Sequence, residues 1–99
     1  MQKKSAMLFM GEAYTPDVHR ADWSFGGRLQ YIRTARDFAE AEALVAALYA
    51  DGLGALELCG AFSKEQALRL REITEKNVAI GFAQHLPEDE GLFAAFYGD

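Results

Sequence analysis

The chain has 99 residues, 51% hydrophobic and 12% aromatic, which excludes a disordered tail and leaves room for one domain around one core, spanning 1–99. Fifteen acidic against ten basic side chains give a formal charge of −5, and the basic residues are scattered apart from Lys3-Lys4 and the group Arg28, Arg33 and Arg36. That pattern argues against nucleic acid, whose phosphates call for clustered Lys and Arg, and against a polybasic membrane-binding surface.

The opening Met1-Gln2-Lys3-Lys4-Ser5-Ala6-Met7-Leu8-Phe9-Met10 begins like a signal peptide, but its apolar run stops at Gly11-Glu12. The run is too short for an h-region or a membrane span, so residues 4–10 are predicted as the first strand of a cytoplasmic protein. Residues 11–27 read as irregular, with a short helical turn opening at Thr15-Pro16-Asp17 and Gly26-Gly27 closing the excursion. Residues 28–33 alternate polar and apolar around Tyr31 and Ile32 and predict a second strand at an edge.

Asp37 with Glu40 resembles a capping box, after which Phe38, Ala41, Leu44, Val45 and Leu48 share one helical face and Gly52 sits at the exit. Residues 54–60 predict a short third strand. Ser63 with Gln66 forms a second capping-box pattern, opening a helix with Ala67, Leu70, Ile73 and Thr74 inward. Its outer face offers Glu65–Arg69 and Glu72–Lys76 as i, i+4 pairs. Residues 78–83 predict the fourth strand. The acidic run Glu88-Asp89-Glu90 reads as a solvated loop before the apolar tail 92–97.

The order β-x-β-α-β-α-β favours a small, mostly parallel four-stranded α/β sheet with strand order 2-1-3-4, as in the first part of a flavodoxin-like fold. The alternative is a ferredoxin-like α+β sandwich. Leu56 and Leu58, with Ile80 and Phe82, form a bulky face for the helices. The opposite face presents Ala55, Glu57 and Cys59 beside Ala79, Gly81 and Ala83, small residues that predict something packed close. Three covers compete: the 11–27 excursion with Trp23 and Phe25, the aromatic tail, or a second subunit. An acid there is costly if dry and unpaired, so Glu57 predicts water or a polar partner such as Arg28 or Arg33.

Ligands of open parallel sheets bind beyond the carboxyl ends of the strands. Those ends carry Gly11-Glu12, Cys59-Gly60 and Gln84-His85, and the helix starting at Ser63 adds free N–H groups suited to an anion. Glu12, Gly60 and Ser63 are therefore the candidate ligand-binding residues. Cys59 and His85 at neighbouring strand ends form the minimal pair for an activated thiolate, with Glu57 or Glu12 to orient the histidine. Glu57 itself is a candidate general base. Against these stand plainer readings: Cys59 as a small buried hydrophobe, His85 as a loop residue, His19-Arg20 as solvated, and Trp23 and Phe25 as core cover. A lone cysteine forms no intramolecular disulfide and no metal framework, and neither metal nor cofactor is expected.

The stretch Gly54-Ala55-Leu56-Glu57-Leu58-Cys59-Gly60-Ala61-Phe62 resembles a segment of a family of small uncharacterised bacterial proteins, a domain of unknown function. The likeness includes the first strand and the alanine-rich helix and thins after Gln84. It implies a fold and a focus on Glu57, Cys59 and Gly60, and no activity. The expectation is a small-molecule binding domain, an anionic metabolite among its candidate ligands, acting as a homo-oligomer. A small enzyme using Cys59 and His85 or Glu57, and a structural oligomer-forming subunit, are the alternatives.

Overall fold

The computed structural model describes residues 2–98. Along them run β1 (Lys3–Met10), β2 (Ala21–Phe25), β3 (Arg28–Ala35), α1 (Phe38–Ala50), β4 (Leu53–Leu58), α2 (Lys64–Ile73), β5 (Ala79–Phe82), a 3-10 turn (Pro87–Asp89) and α3 (Glu90–Tyr97). The strands form one mixed sheet in the order β2-β3-β1-β4-β5, with β2 antiparallel to β3 and every other pair parallel.

The four strands read from the sequence keep their 2-1-3-4 order, but the sheet has five, and the ferredoxin-like alternative does not form. The excursion 11–27 is not irregular throughout, because Ala21–Phe25 zips onto β3 and takes the edge expected of Arg28–Arg33. Gly26 and Gly27 make this hairpin with φ of +52° and +75°. Positive φ at both turn positions matches the right-handed twist of the flanking strands and suits glycine. The apolar tail is likewise not shapeless: it is α3.

Both capping signals are used, in different ways. Ser63 Oγ accepts from Gln66 N–H while the Gln66 carboxamide accepts from Ser63 N–H, so two orphan donors of α2 are satisfied reciprocally. Asp37 accepts from Glu40 N–H at 2.9 Å, but the Glu40 carboxylate turns back to Arg36, accepting from its backbone N–H and its guanidinium. A charge-assisted contact outcompetes the reciprocal cap. Of the predicted i, i+4 pairs, Glu72–Lys76 forms at 3.8 Å, whereas Arg69 reaches across to Glu42 of α1 at 3.0 Å.

The core lies between the sheet and α1 with α2. Ala6 and Leu8 of β1 stand in register with Leu56 and Leu58 of β4, under Ala41, Val45 and Leu48 of α1 and Ala67 and Leu70 of α2. Leu8, Leu56, Leu70 and Val45 are fully buried, and each such side chain stabilises the fold by about 1.5–3 kcal/mol.

The topology covers only one face. The steps β3-α1-β4 and β4-α2-β5 move the same way across the sheet, and right-handed crossovers then put both helices on the same side. The step from β1 back to β3 runs the other way, where a helix would cover the second face. The loop 11–20 and β2 replace that helix, and β2 extends the edge instead. The loop reaches only the far end of the second face, where Thr34 donates to the His19 carbonyl and Phe9 meets Tyr14, and the rest is left open, with Met7, Trp23 and Phe25 at 40%, 57% and 51% exposure. Trp23 and Phe25 therefore do not cover the core.

Candidate functional site

Parallel neighbours bring the carboxyl ends of β4 and β5 together. Cys59 N–H donates to Leu8 carbonyl and Ala83 N–H to Leu58 carbonyl, which carries the ladder one residue past each strand. Gly60 follows Cys59, and His85 arrives beside it from the end of β5.

Three contacts hold the His85 ring. Its Nδ1 lies 2.9 Å from Glu90 Oε1, and its face stacks on Phe93 with centroids 3.6 Å apart and planes 4° from parallel. Its Nε2 lies only 2.9 Å from where a Cβ on residue 60 would stand, so glycine is what lets the imidazole approach the chain there. The local sequence explains the arrangement. Pro87 starts the 3-10 turn, Asp89 N–H donates to Leu86 carbonyl, and the reversed chain enters α3 with Glu90 and Phe93 on one face at i, i+3. An ionised carboxylate only accepts, so Nδ1 is the donor, and Nε2 is the ring nitrogen turned towards Gly60.

The structure thus joins His85 and Gly60 and partners the histidine with Glu90, in place of Glu57 or Glu12. The acidic run is not merely a solvated loop, because Glu90 opens α3 and orients an imidazole. Glu90 and Phe93 were not singled out from the sequence. The signal was there in a carboxylate and an aromatic three residues apart, just past a proline turn that follows a histidine.

Glu57 stands in register with Gly81, and its carboxylate lies across that glycine, filling the space a side chain would need. Gly81 is small for the sake of Glu57 itself. Neither expected arginine pairs with it. Arg33 is buried, donating to Asp22 Oδ1 at 2.6 Å and to the carbonyls of Ala21 and Ile32, with Tyr31 under its guanidinium at 4.7 Å. Arg28 sits over the Phe25 ring at 5.8 Å. Glu57 is exposed, which meets its need for water directly.

Cys59 is half-buried and packs against the core. The Ser63 hydroxyl is occupied by capping α2. Glu12 lies exposed in the turn after β1 and makes no side-chain hydrogen bond or ion pair among the described residues. His19 is structural, its Nδ1 accepting from Thr15 N–H at 2.8 Å and its ring edge-on to Tyr14. Among the described residues no group of three or more His, Cys, Asp or Glu could hold a metal ion.

A cleft of about 560 Å³ lies at the other end of the sheet, lined by Gln2, Lys3, Lys4, Ser5, Arg28, Gly52, Gly54 and Ala55. Beside it the Lys4 ammonium donates to the Asp51 carbonyl at 2.7 Å and its carboxylate at 3.1 Å. That contact, with a smaller one from the Tyr31 hydroxyl, holds the Asp51 carboxyl below its ordinary value.

The model of a family described as "Family of unknown function (DUF6506)" matches residues 3–98, so the chain belongs to that family. The match runs through the tail beyond Gln84, where the likeness read from the sequence thins. No curated protein and no solved structure matches the chain. Among the described residues no helix is long and apolar enough to cross a membrane.

Proposed function

We propose that this member of a family of unknown function binds a small molecule at the carboxyl ends of β4 and β5, with His85 Nε2 as the recognising atom. The observation that supports the reading is the fixed imidazole: Glu90 sets its tautomer, Phe93 its plane, and Gly60 its depth. A ring restrained on three sides loses little further entropy when a ligand is bound. The nearby carboxylates of Glu57 and Glu90 favour a ligand that brings hydrogen-bond donors or positive charge over an anion. Gly60 supplies close backbone approach, while Ser63 acts by capping α2 through Gln66 N–H, leaving the N–H groups of Lys64 and Glu65 for the ligand.

A second reading rests on the same ring. A carboxylate–imidazole pair is the orienting half of a general-base device, and Cys59 is adjacent to Gly60 in the chain. The partial burial of Cys59 against the core favours binding over thiolate catalysis.

The test is an amide NMR titration with metabolite-sized cations, neutral polyols and anions, repeated on His85→Gln. Saturable shifts at Gly60, Ser63 and His85, weakened at least tenfold in the variant, are the expected result. The same ligand should slow alkylation of Cys59, the chain's single thiol, by iodoacetamide. If no compound shifts these amides saturably, or the shifts survive the substitution unchanged, the reading fails.

A further inference from the structure

We propose that the open face of the sheet is the contact surface for a second copy of this chain, stacked with its strands antiparallel to the first. In this arrangement the acidic end of each copy, Glu57 and the 88–90 segment, meets the basic cleft at the strand starts of the other. The inference does not depend on the ligand reading.

Parallel strands occur almost only in sheets buried on both faces, because their apolar side chains and connections leave neither face suited to water. Here the loop 11–20 covers only the Phe9–Thr34 end of the face, and Met7, Trp23 and Phe25 stand out on the rest of it beside half-buried Ile32. α3 repeats the pattern. None of its residues is buried, and Leu92, Phe96 and Tyr97 are 71%, 79% and 75% exposed. One chain therefore carries two apolar surfaces without partners, the situation that a symmetric pair resolves with one contact used twice.

On the open face Lys3 and Arg28 stand paired in register where β1 and β3 begin, and Glu57 stands level with Met7, about 13 Å further along at 3.3 Å per residue. Among the described residues Lys3, Arg28 and Glu57 all lack an ion-pair partner, although six other Lys or Arg side chains pair with carboxylates. Glu88 and Asp89 extend the acidic end beyond β5. A two-fold axis lying in the interface and crossing the strands puts the basic end of one copy over the acidic end of the other. With parallel stacking, like would face like. Antiparallel stacking also supplies Glu57 with a cation when the face is closed, which removes the cost of burying it alone.

Five strands about 4.8 Å apart and about 20 Å long give a projected face of roughly 480 Å². A standard stable interface uses about 800 Å² per partner. The face alone falls short, and α3 of each copy, laid against the other, supplies the remainder.

The test is sedimentation velocity of the full chain across a dilution series, with the fluorescence of Trp23, its single tryptophan, recorded in parallel. The expected species has twice the chain's mass, and the Trp23 emission shifts to the red on dilution. Trp23→Glu, Arg28→Glu and Phe96→Asp are each expected to weaken association at least tenfold with an unchanged circular dichroism spectrum, since all three side chains are exposed in the monomer. Raising salt from about 0.05 M to about 0.5 M should weaken it several-fold. A chain monomeric at about 100 μM, a condition set to detect dimers of ordinary affinity, overturns the proposal. So does a dimer indifferent to Trp23→Glu. A dimer that responds to Trp23→Glu but not to Arg28→Glu, Phe96→Asp or salt overturns the antiparallel arrangement.

Discussion

His85 both offers a free ring nitrogen and joins α3 to the sheet, and two glycines nearby separate a restrained neighbour from a mobile one. A Cβ at position 60 meets His85 Nε2, on a ring that Glu90 and Phe93 hold in place. A Cβ at position 81 meets the Glu57 carboxylate, the free end of an exposed side chain that swings into water. Gly60→Ala is therefore expected to cost about 1–2 kcal/mol in chemical denaturation, as overpacking does, while Gly81→Ala stays within about 0.5 kcal/mol. Equal costs would show that the ring moves as freely as Glu57. The sequence pointed to His85 and Gly60 through their places at strand ends, and to Glu57 as an acid on a face of the sheet. It did not pair His85 with Glu90, because that contact depends on the direction in which the turn at Pro87 returns the chain.

At the scale of single elements, the two ends of α2 lend themselves to opposite predictions. Ser63→Ala removes one arm of the capping box and is expected to destabilise the protein by about 1 kcal/mol, read from the urea midpoint. At the other end Lys76 N–H bonds Arg71 carbonyl and Glu75 N–H bonds Glu72 carbonyl, a Schellman closure with Glu75 at φ +56° where glycine is usual. Glu75→Gly is expected to stabilise by about 0.5–1 kcal/mol, the left-handed strain relieved less the greater freedom of glycine when unfolded. A loss in its place would mean that the bond between the Tyr49 hydroxyl and the Glu75 carboxylate outweighs the strain. The caps and the inward helical faces were legible because they depend on neighbours three or four residues away. β2 was legible in principle, since Trp23 and Phe25 alternate with Asp22 and Ser24 before a Gly-Gly turn. Its membership of the sheet depends on β3 being there to receive it.

For the whole molecule, acid stability follows from two exposed carboxylates. Hydrogen bonds from Arg36 hold the Glu40 carboxyl below its ordinary 4.5, and the Lys4 ammonium holds Asp51 below 3.8. A carboxyl depressed in the folded state contributes stability in full above its ordinary value and loses it as pH falls through the folded value. Urea midpoints are thus expected to fall as pH drops from about 5 to about 2.5, and the slope should flatten in Glu40→Gln with Asp51→Asn. Both groups are exposed, so the effect should shrink in high salt. An unchanged slope in the double variant would place the acid-sensitive groups elsewhere.

The sequence by itself determined the α/β class, the four strands that prove parallel, the two core helices and the face they cover, and it favoured the strand order 2-1-3-4 over a ferredoxin-like alternative that only the tertiary structure excluded. Each of these follows from local periodicity, capping chemistry and the handedness of crossovers, which act over short stretches of chain. Only the tertiary structure decided that the connection from β1 to β3 contributes an edge strand in place of a covering helix. It likewise decided that Arg69 prefers Glu42 to Glu65, that Arg33 is consumed by Asp22, and that Glu90 holds His85. These contacts join residues that periodicity does not relate, and the energies separating them from their alternatives are those of single ion pairs and hydrogen bonds, which depend on where the folded chain brings the partners.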